Sequence, residues 1–162
     1  FPVSNNFYYL PELPEFNPGY VAGYLNSSIG WFFEEITGRS WTNTLRFDKP
    51  EYLILPIIKT GDAVQDNVES NLESLMERDM GNVFEELGAY NPDDVSLETV
   101  KSDRKKLDAE FFDDLGVSDD KRLQLYQEIV RSVRDRLMRQ PDENPTLCET
   151  LAEHNPQYDY SR

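Results

Sequence analysis

Arg39, Ser40, Thr42, Asn43, Thr44 and Arg46 place six hydrogen-bonding side chains within eight positions. Arginine can donate two parallel bonds to guanine O6 and N7, and asparagine can pair with adenine N6 and N7. Trp41, among them, could stack on a sugar or wedge at a base step. Lys49, just beyond, could meet a phosphate. The same residues also suit an ordinary polar surface loop whose arginines pair with nearby acids. Both readings stand on composition alone.

Other chemistry is weaker. Asn17-Pro18-Gly19-Tyr20 superficially resembles the Asn/Asp-Pro-Pro-Tyr/Phe tetrad that holds a base's amino group in amino-methyltransferases. The second proline is missing, and an asparagine before a proline is a helix cap. His154 stands without a second histidine or a cysteine pair, so no metal site is expected. Glu34-Glu35 and Asp113-Asp114 could serve acid–base work, but in so acidic a chain a solvated helix face is the expected role. Cys148 is the single cysteine, which fits an inert thiol in a reducing, cytoplasmic setting. There is no glycine-rich strand-to-helix turn for a nucleotide cofactor and no phosphate-binding loop. A complete enzyme active site is therefore not expected.

Thirty-one acids against 16 bases give a net charge of −15 over 162 residues. Taken as a sum, that charge repels DNA. It is unevenly spread, with −2 on residues 1–60 and −13 on the remainder. Residues 39–59 carry four bases and two acids, a local balance of +2. Ten of the bases are arginine and six lysine. Abundant acid with scarce lysine also suits a protein of salt-loving organisms, where like charges are screened over a few ångströms. No run approaches the roughly 18 apolar residues of a membrane span.

The elements that must position the polar stretch can be read on either side of it. Asn6 to Leu10 suits a short strand. Asn17-Pro18 opens a helix running to Thr37, whose face comprises Val21, Leu25, Ile29, Phe32 and Ile36, widened by Tyr20, Tyr24 and Trp31. Gly38 stops it. Residues 39–44 form the polar loop, and 45–47 and Tyr52 to Ile58 are expected as strands. The helix should pack on a sheet containing Tyr52 to Leu55. The expected fold is thus α+β: a small mixed sheet with a packed amphipathic helix, followed by a helical appendage. Residues 1–60 form the α+β unit, 61–140 a helical spacer or bundle, and 141–162 a polar tail with one short helix near 146–153. In the bundle, a long helix reaches Gly88 with an interruption at Gly81. A second spans about 103–114, with Leu107, Phe111 and Leu115 inward. A third follows Ser118, with Asp119 and Asp120 at its start and Arg134, Arg136 and Arg139 near its end, in the order the helix dipole favours.

The stretch GYLNSSIGWFFEEITGRSWTNTLRFDKPEYLILPII, residues 23–58, resembles the C-terminal specificity region of TaqI-type adenine-N6 DNA methyltransferases and of fused restriction–modification enzymes. The resemblance rests on Leu25-Asn26-Ser27-Ser28 in a helix, Arg39 and Arg46 after it, and a strand ending in Leu-Pro-Ile-Ile. RKKLDAEFFDDLGVSDDKRLQLYQEIVRSVRDRLMR resembles the helical tail that follows such regions. The chain departs from those relatives at Ile57-Ile58, where Ile-Pro is frequent, and in its acidity. The resemblance implies a target-recognition unit that reads double-stranded DNA through Arg39, Ser40, Trp41, Thr42, Asn43, Arg46 and Lys49. It implies a partner catalytic domain that holds S-adenosylmethionine, flips the adenine and methylates it, with no cofactor in this portion. The opening at Phe1, without methionine, fits a piece of such a longer protein. The rival expectations are a helical protein–protein interaction module and an acidic DNA mimic.

Overall fold

The structure is a computed structural model describing residues 14–41, 44–46, 56–139, 142 and 144–157, with 39–41 and 44–46 described at the level of backbone. In chain order it comprises α1 (Pro18–Asn26), α2 (Ser28–Thr37), β1 (Arg39–Trp41), β2 (Thr44–Arg46), α3 (Asp62–Met76), α4 (Val83–Leu87), α5 (Ser102–Asp114), α6 (Asp119–Leu137) and α7 (Pro145–His154). A 3-10 turn, Pro92–Asp94, lies between α4 and α5.

The expected α+β fold with a mixed sheet is overturned. The described residues are helical, and their β structure is confined to one two-stranded antiparallel hairpin with three residues per strand. The proposed strand partners at 6–10 and 52–55 lie outside the described residues. The physical reason is that other helices already occupy the apolar faces of α1 and α2. α1 packs on α3, α3 on α5, and α2 on α6, with further contact to α5. One core runs through these helices, from Tyr20 and Tyr24 through Val68, Leu75, Leu107 and Phe111 to Ile129 and Leu151.

The single helix expected over 18–37 is two. Asn17 caps α1 as its type predicts, accepting from the Gly19 amide at 2.8 Å beside Pro18. At Ser27 the backbone turns extended, with φ −75° and ψ 162°, and its hydroxyl oxygen accepts from the Gly30 amide as the cap of α2. This elbow breaks the register of the expected apolar stripe. Tyr20, Val21, Tyr24 and Ile29 are buried, Leu25 and Phe32 are half-buried, and Ile36 is 56% exposed.

The long helix up to Gly88 is likewise divided, into α3 and α4, with Asn82 and Glu85 forming a reciprocal capping box at the start of α4. Gly88 ends α4 in the left-handed region, φ 76°, where a Cβ would stand 2.1 Å from the Thr99 carbonyl oxygen. α5 and α6 match expectation closely, except that Leu115 is 49% exposed beyond the end of α5. The short helix near 146–153 is α7, which docks Cys148 and Leu151 into the core. No helix among the described residues is long and apolar enough to cross a membrane.

Candidate nucleic-acid interface

The polar stretch forms the hairpin rather than a loop followed by a strand. The ladder pairs Arg39 with Arg46, Ser40 with Leu45 and Trp41 with Thr44. Trp41 and Thr44 are among the residue types that favour a pleated ribbon. Of the expected DNA-reading residues, Arg39, Ser40, Trp41 and Arg46 therefore lie on one short ribbon. Thr42, Asn43 and Lys49 lie outside the described residues.

The ribbon is rooted on α2, one residue after it, at Gly38. That helix is clamped at both ends. At its start, the Asp108 carboxylate of α5 accepts from the Ser28 amide and the Ser28 hydroxyl, both at 2.7 Å. A carboxylate there answers the unpaired amides and the partial positive charge of a helix N-terminus. The Tyr126 hydroxyl of α6 donates to the same carboxylate at 3.0 Å. Arg104, one turn earlier on α5, donates to the Asn26 carbonyl and lies 4.0 Å from the centre of the Trp31 ring. At the other end, Arg136 of α6 bonds both oxygens of Glu35 at 2.7 and 3.1 Å.

Behind the first clamp is a network of charges removed from water. Arg104, Asp108 and Glu86 are each wholly buried. Glu86 stands 3.7 Å from the Arg104 Nε. It accepts two bonds from Arg78 at 2.7 Å, one from Lys101 at 3.0 Å and one from the Gly81 amide at 2.9 Å. Asp103 accepts two further bonds from Arg78 at 2.6 and 3.1 Å. Three acids thus meet three bases, which pairs the buried charge, although the Arg104 Nε and Nη2 have no hydrogen-bond partner among the described residues. Burial by itself would raise the Glu86 carboxyl, but its bonds from Arg78, Lys101 and Gly81 and the charge of Arg104 hold it at about 2. Burial pushes the Asp108 carboxyl up and the Arg104 guanidinium down, each opposed by the other's charge. Burial, then Asp108, raises the Tyr126 phenol.

None of these clamp residues was expected as functional, although their pattern was legible. Arg104, Leu107, Asp108 and Phe111 recur at i, i+3, i+4 and i+7, so two charged residues occupy core positions of one helical face. Val130, Val133, Arg134 and Leu137 repeat the pattern on α6. Arg134 is buried and donates to Asn155 at 3.0 Å, while Asn155 donates to the Tyr90 carbonyl at 3.0 Å, fixing the end of α7. The solvated role expected for Glu34-Glu35 is also corrected. Glu35 belongs to the second clamp, and Glu34 is half-buried.

The minor candidates find local roles. Asn17 caps α1 and donates to Glu69 at 2.6 Å, tying α1 to α3. His154 lies against Tyr90, ring centres 5.1 Å apart. No group of three or more potential metal ligands occurs among the described residues. Burial raises the Cys148 thiol, which disfavours the reactive thiolate.

No family model, curated protein or solved structure matches this chain. Ser28 of Leu25-Asn26-Ser27-Ser28 bonds Asp108 of the α5 segment across 80 positions.

Proposed function

We propose that this chain is a DNA-recognition unit whose reading element is the Arg39–Arg46 hairpin, carried on α2 and the helices behind it. The observation that carries the reading is the cross-strand pairing of Arg39 with Arg46 on a two-stranded ribbon. A ribbon of that width can enter a major groove, and arginine is the commonest reader of guanine there. The double clamp on α2 supports it, because a reading element must be held to well within an ångström by rigid neighbours. The surplus acid need not oppose binding, since residues 39–59 carry +2 while −13 lies on residues 61–162.

In this reading the chain serves a site-specific adenine-N6 methyltransferase or a fused restriction–modification enzyme. A catalytic domain holding S-adenosylmethionine flips and methylates the base. Arg39 or Arg46 contacts a base edge, Ser40, Trp41, Thr42 and Asn43 complete the reading surface, and Lys49 meets a phosphate.

The test is methylation of a randomised-site DNA library by the protein that carries this chain. Arg39→Ala or Arg46→Ala should cost about 1–3 kcal/mol and relax one position of the recognised site. Lys49→Ala should weaken all sequences alike and lower the salt slope by about one. Should both arginine variants retain the wild-type preference and rate, the hairpin is not the reader, and a protein-interaction role takes its place.

A further inference from the structure

A pocket of about 390 Å³ opens between α2, α4, α6 and α7. That size falls near the lower end of small-ligand sites, roughly 300–1,000 Å³. Phe84, Ile129, Val133 and Leu147 give it an apolar lining, and Trp31 lines it from α2. Three charged side chains also line it: Glu34, Glu35 and Arg136. Arg136 is already engaged by Glu35. The Glu34 carboxylate has no ion pair or hydrogen bond among the described residues, although it is half-buried. The lining thus holds two acids and one base.

A carboxylate drawn out of water without a partner is costly, and a second acid beside it adds to the cost. Burial, then the charge of Glu35, raises the Glu34 carboxyl to about 7. A bound cation would relieve both penalties. A bare metal ion is a poor candidate, because no cluster of three ligands exists among the described residues. An apolar lining beside one unmatched acid instead calls for a positive charge on an apolar body.

We propose that this pocket binds a small organic cation, a protonated amine or guanidinium on an apolar body, with the Glu34 carboxylate as counter-ion and the apolar side chains of α4, α6 and α7 around the body. The proposal does not rest on the DNA reading, since the site uses none of the hairpin, although it shares Trp31, Glu35 and Arg136 with the clamps on α2.

Calorimetric titration of the whole chain at about pH 8 tests this with four probes: tryptamine, its neutral isostere tryptophol, the anion indole-3-propionate, and n-hexylamine as an aliphatic amine of the same charge as tryptamine. Tryptamine should bind about tenfold or more tighter than tryptophol, with indole-3-propionate weakest. Hexylamine sorts the body: weaker binding than tryptamine assigns a ring, and tighter binding assigns an alkyl stem. Glu34→Gln should remove the preference for the amine. Leu147→Trp, which fills the pocket from α7, should weaken tryptamine and tryptophol together. Asp120→Asn removes an exposed acid remote from the pocket lining and should change nothing. Circular dichroism checks that each variant is folded. The proposal is overturned if tryptophol matches tryptamine, if the anion binds best, or if no probe binds up to about 10 mM. A loss in Asp120→Asn equal to that in Glu34→Gln also overturns it, because the attraction would then be the general field of the −15 charge.

Discussion

Two tyrosines show how one hydroxyl can carry opposite signs of stability. Tyr126 donates to Asp108 at 3.0 Å, whereas the buried Tyr24 hydroxyl has no hydrogen-bond partner among the described residues. Removing a bonded hydroxyl next to a charge costs about 1.5–3 kcal/mol, while removing an unsatisfied one is neutral or stabilising. Urea melts should therefore place Tyr126→Phe below wild type and Tyr24→Phe level with it or up to about 1 kcal/mol above. A Tyr24→Phe loss as large as that of Tyr126→Phe would mean that its hydroxyl is bonded after all. Asp108 tests the first clamp. Asp108→Ala leaves the Ser28 amide, the Ser28 hydroxyl and the Tyr126 hydroxyl without their acceptor and removes a counter-charge of Arg104. About 3–5 kcal/mol should be lost. Ser28→Ala keeps the amide bond and should cost about 1.5–3 kcal/mol, less than Asp108→Ala.

Glu86 sets a pH window. Its folded-state value of about 2 lies below the unfolded value of about 4.3. The unfolded carboxyl takes up its proton first as the solution is acidified. The stability Glu86 confers is therefore complete above about pH 4.3 and lost as pH falls towards 2. Asp103, held low by Arg78, acts in the same direction. Denaturant midpoints measured between about pH 5 and pH 2 should fall less steeply in Glu86→Gln than in the wild type. Parallel slopes would show that Glu86 is not the group titrating in that window.

At the scale of elements, the approach of α1 to α3 depends on a small residue at the contact. A Cβ on Gly23 would stand 2.3 Å from Val68 Cγ1. Gly23→Ala gains helix propensity but overpacks the interface, and the second effect wins at about 1–3 kcal/mol. Val68→Ala loses buried side-chain volume of its own. In the double variant the two changes should compensate, with a loss smaller than the sum of the singles by about 0.5 kcal/mol or more. Strict additivity in thermal melts would mean that the helices do not meet at this pair. The elbow at Ser27 illustrates why the single-helix expectation failed. Its sequence keeps helical spacing on both sides, and the break is held by Asp108, 80 positions away.

For the whole molecule, the −15 charge is the main lever. Self-repulsion of the folded state weakens as the screening length falls from about 10 Å at 0.1 M salt to about 3 Å at 1 M. The melting temperature should rise between about 0.1 M and 3 M potassium chloride. A flat or falling temperature would remove adaptation to high salt as the reason for the acidity. The buried clamps should respond least, because exposed charges are screened far more than buried ones.

The chain by itself determined most of the helices and their ends. Local chemistry suffices for these: Asn17 before Pro18, the 3.6-residue apolar rhythm of α5 and α6, and Gly88 as a stop. It also marked the polar stretch at 39–46 by residue type. It did not determine what the apolar faces meet. A stripe on a helix is equally satisfied by a sheet or by other helices, so the expected mixed sheet failed where α3, α5 and α6 provided the core instead. Nor could it tell a solvated charge from a buried one. Arg104, Asp108, Glu86 and Glu35 are ordinary polar letters in an acidic chain until the fold removes their water. Burial and long-range pairing then join Ser28 to Asp108 and Glu35 to Arg136. Such choices depend on contacts between distant positions, and only the tertiary structure supplies them.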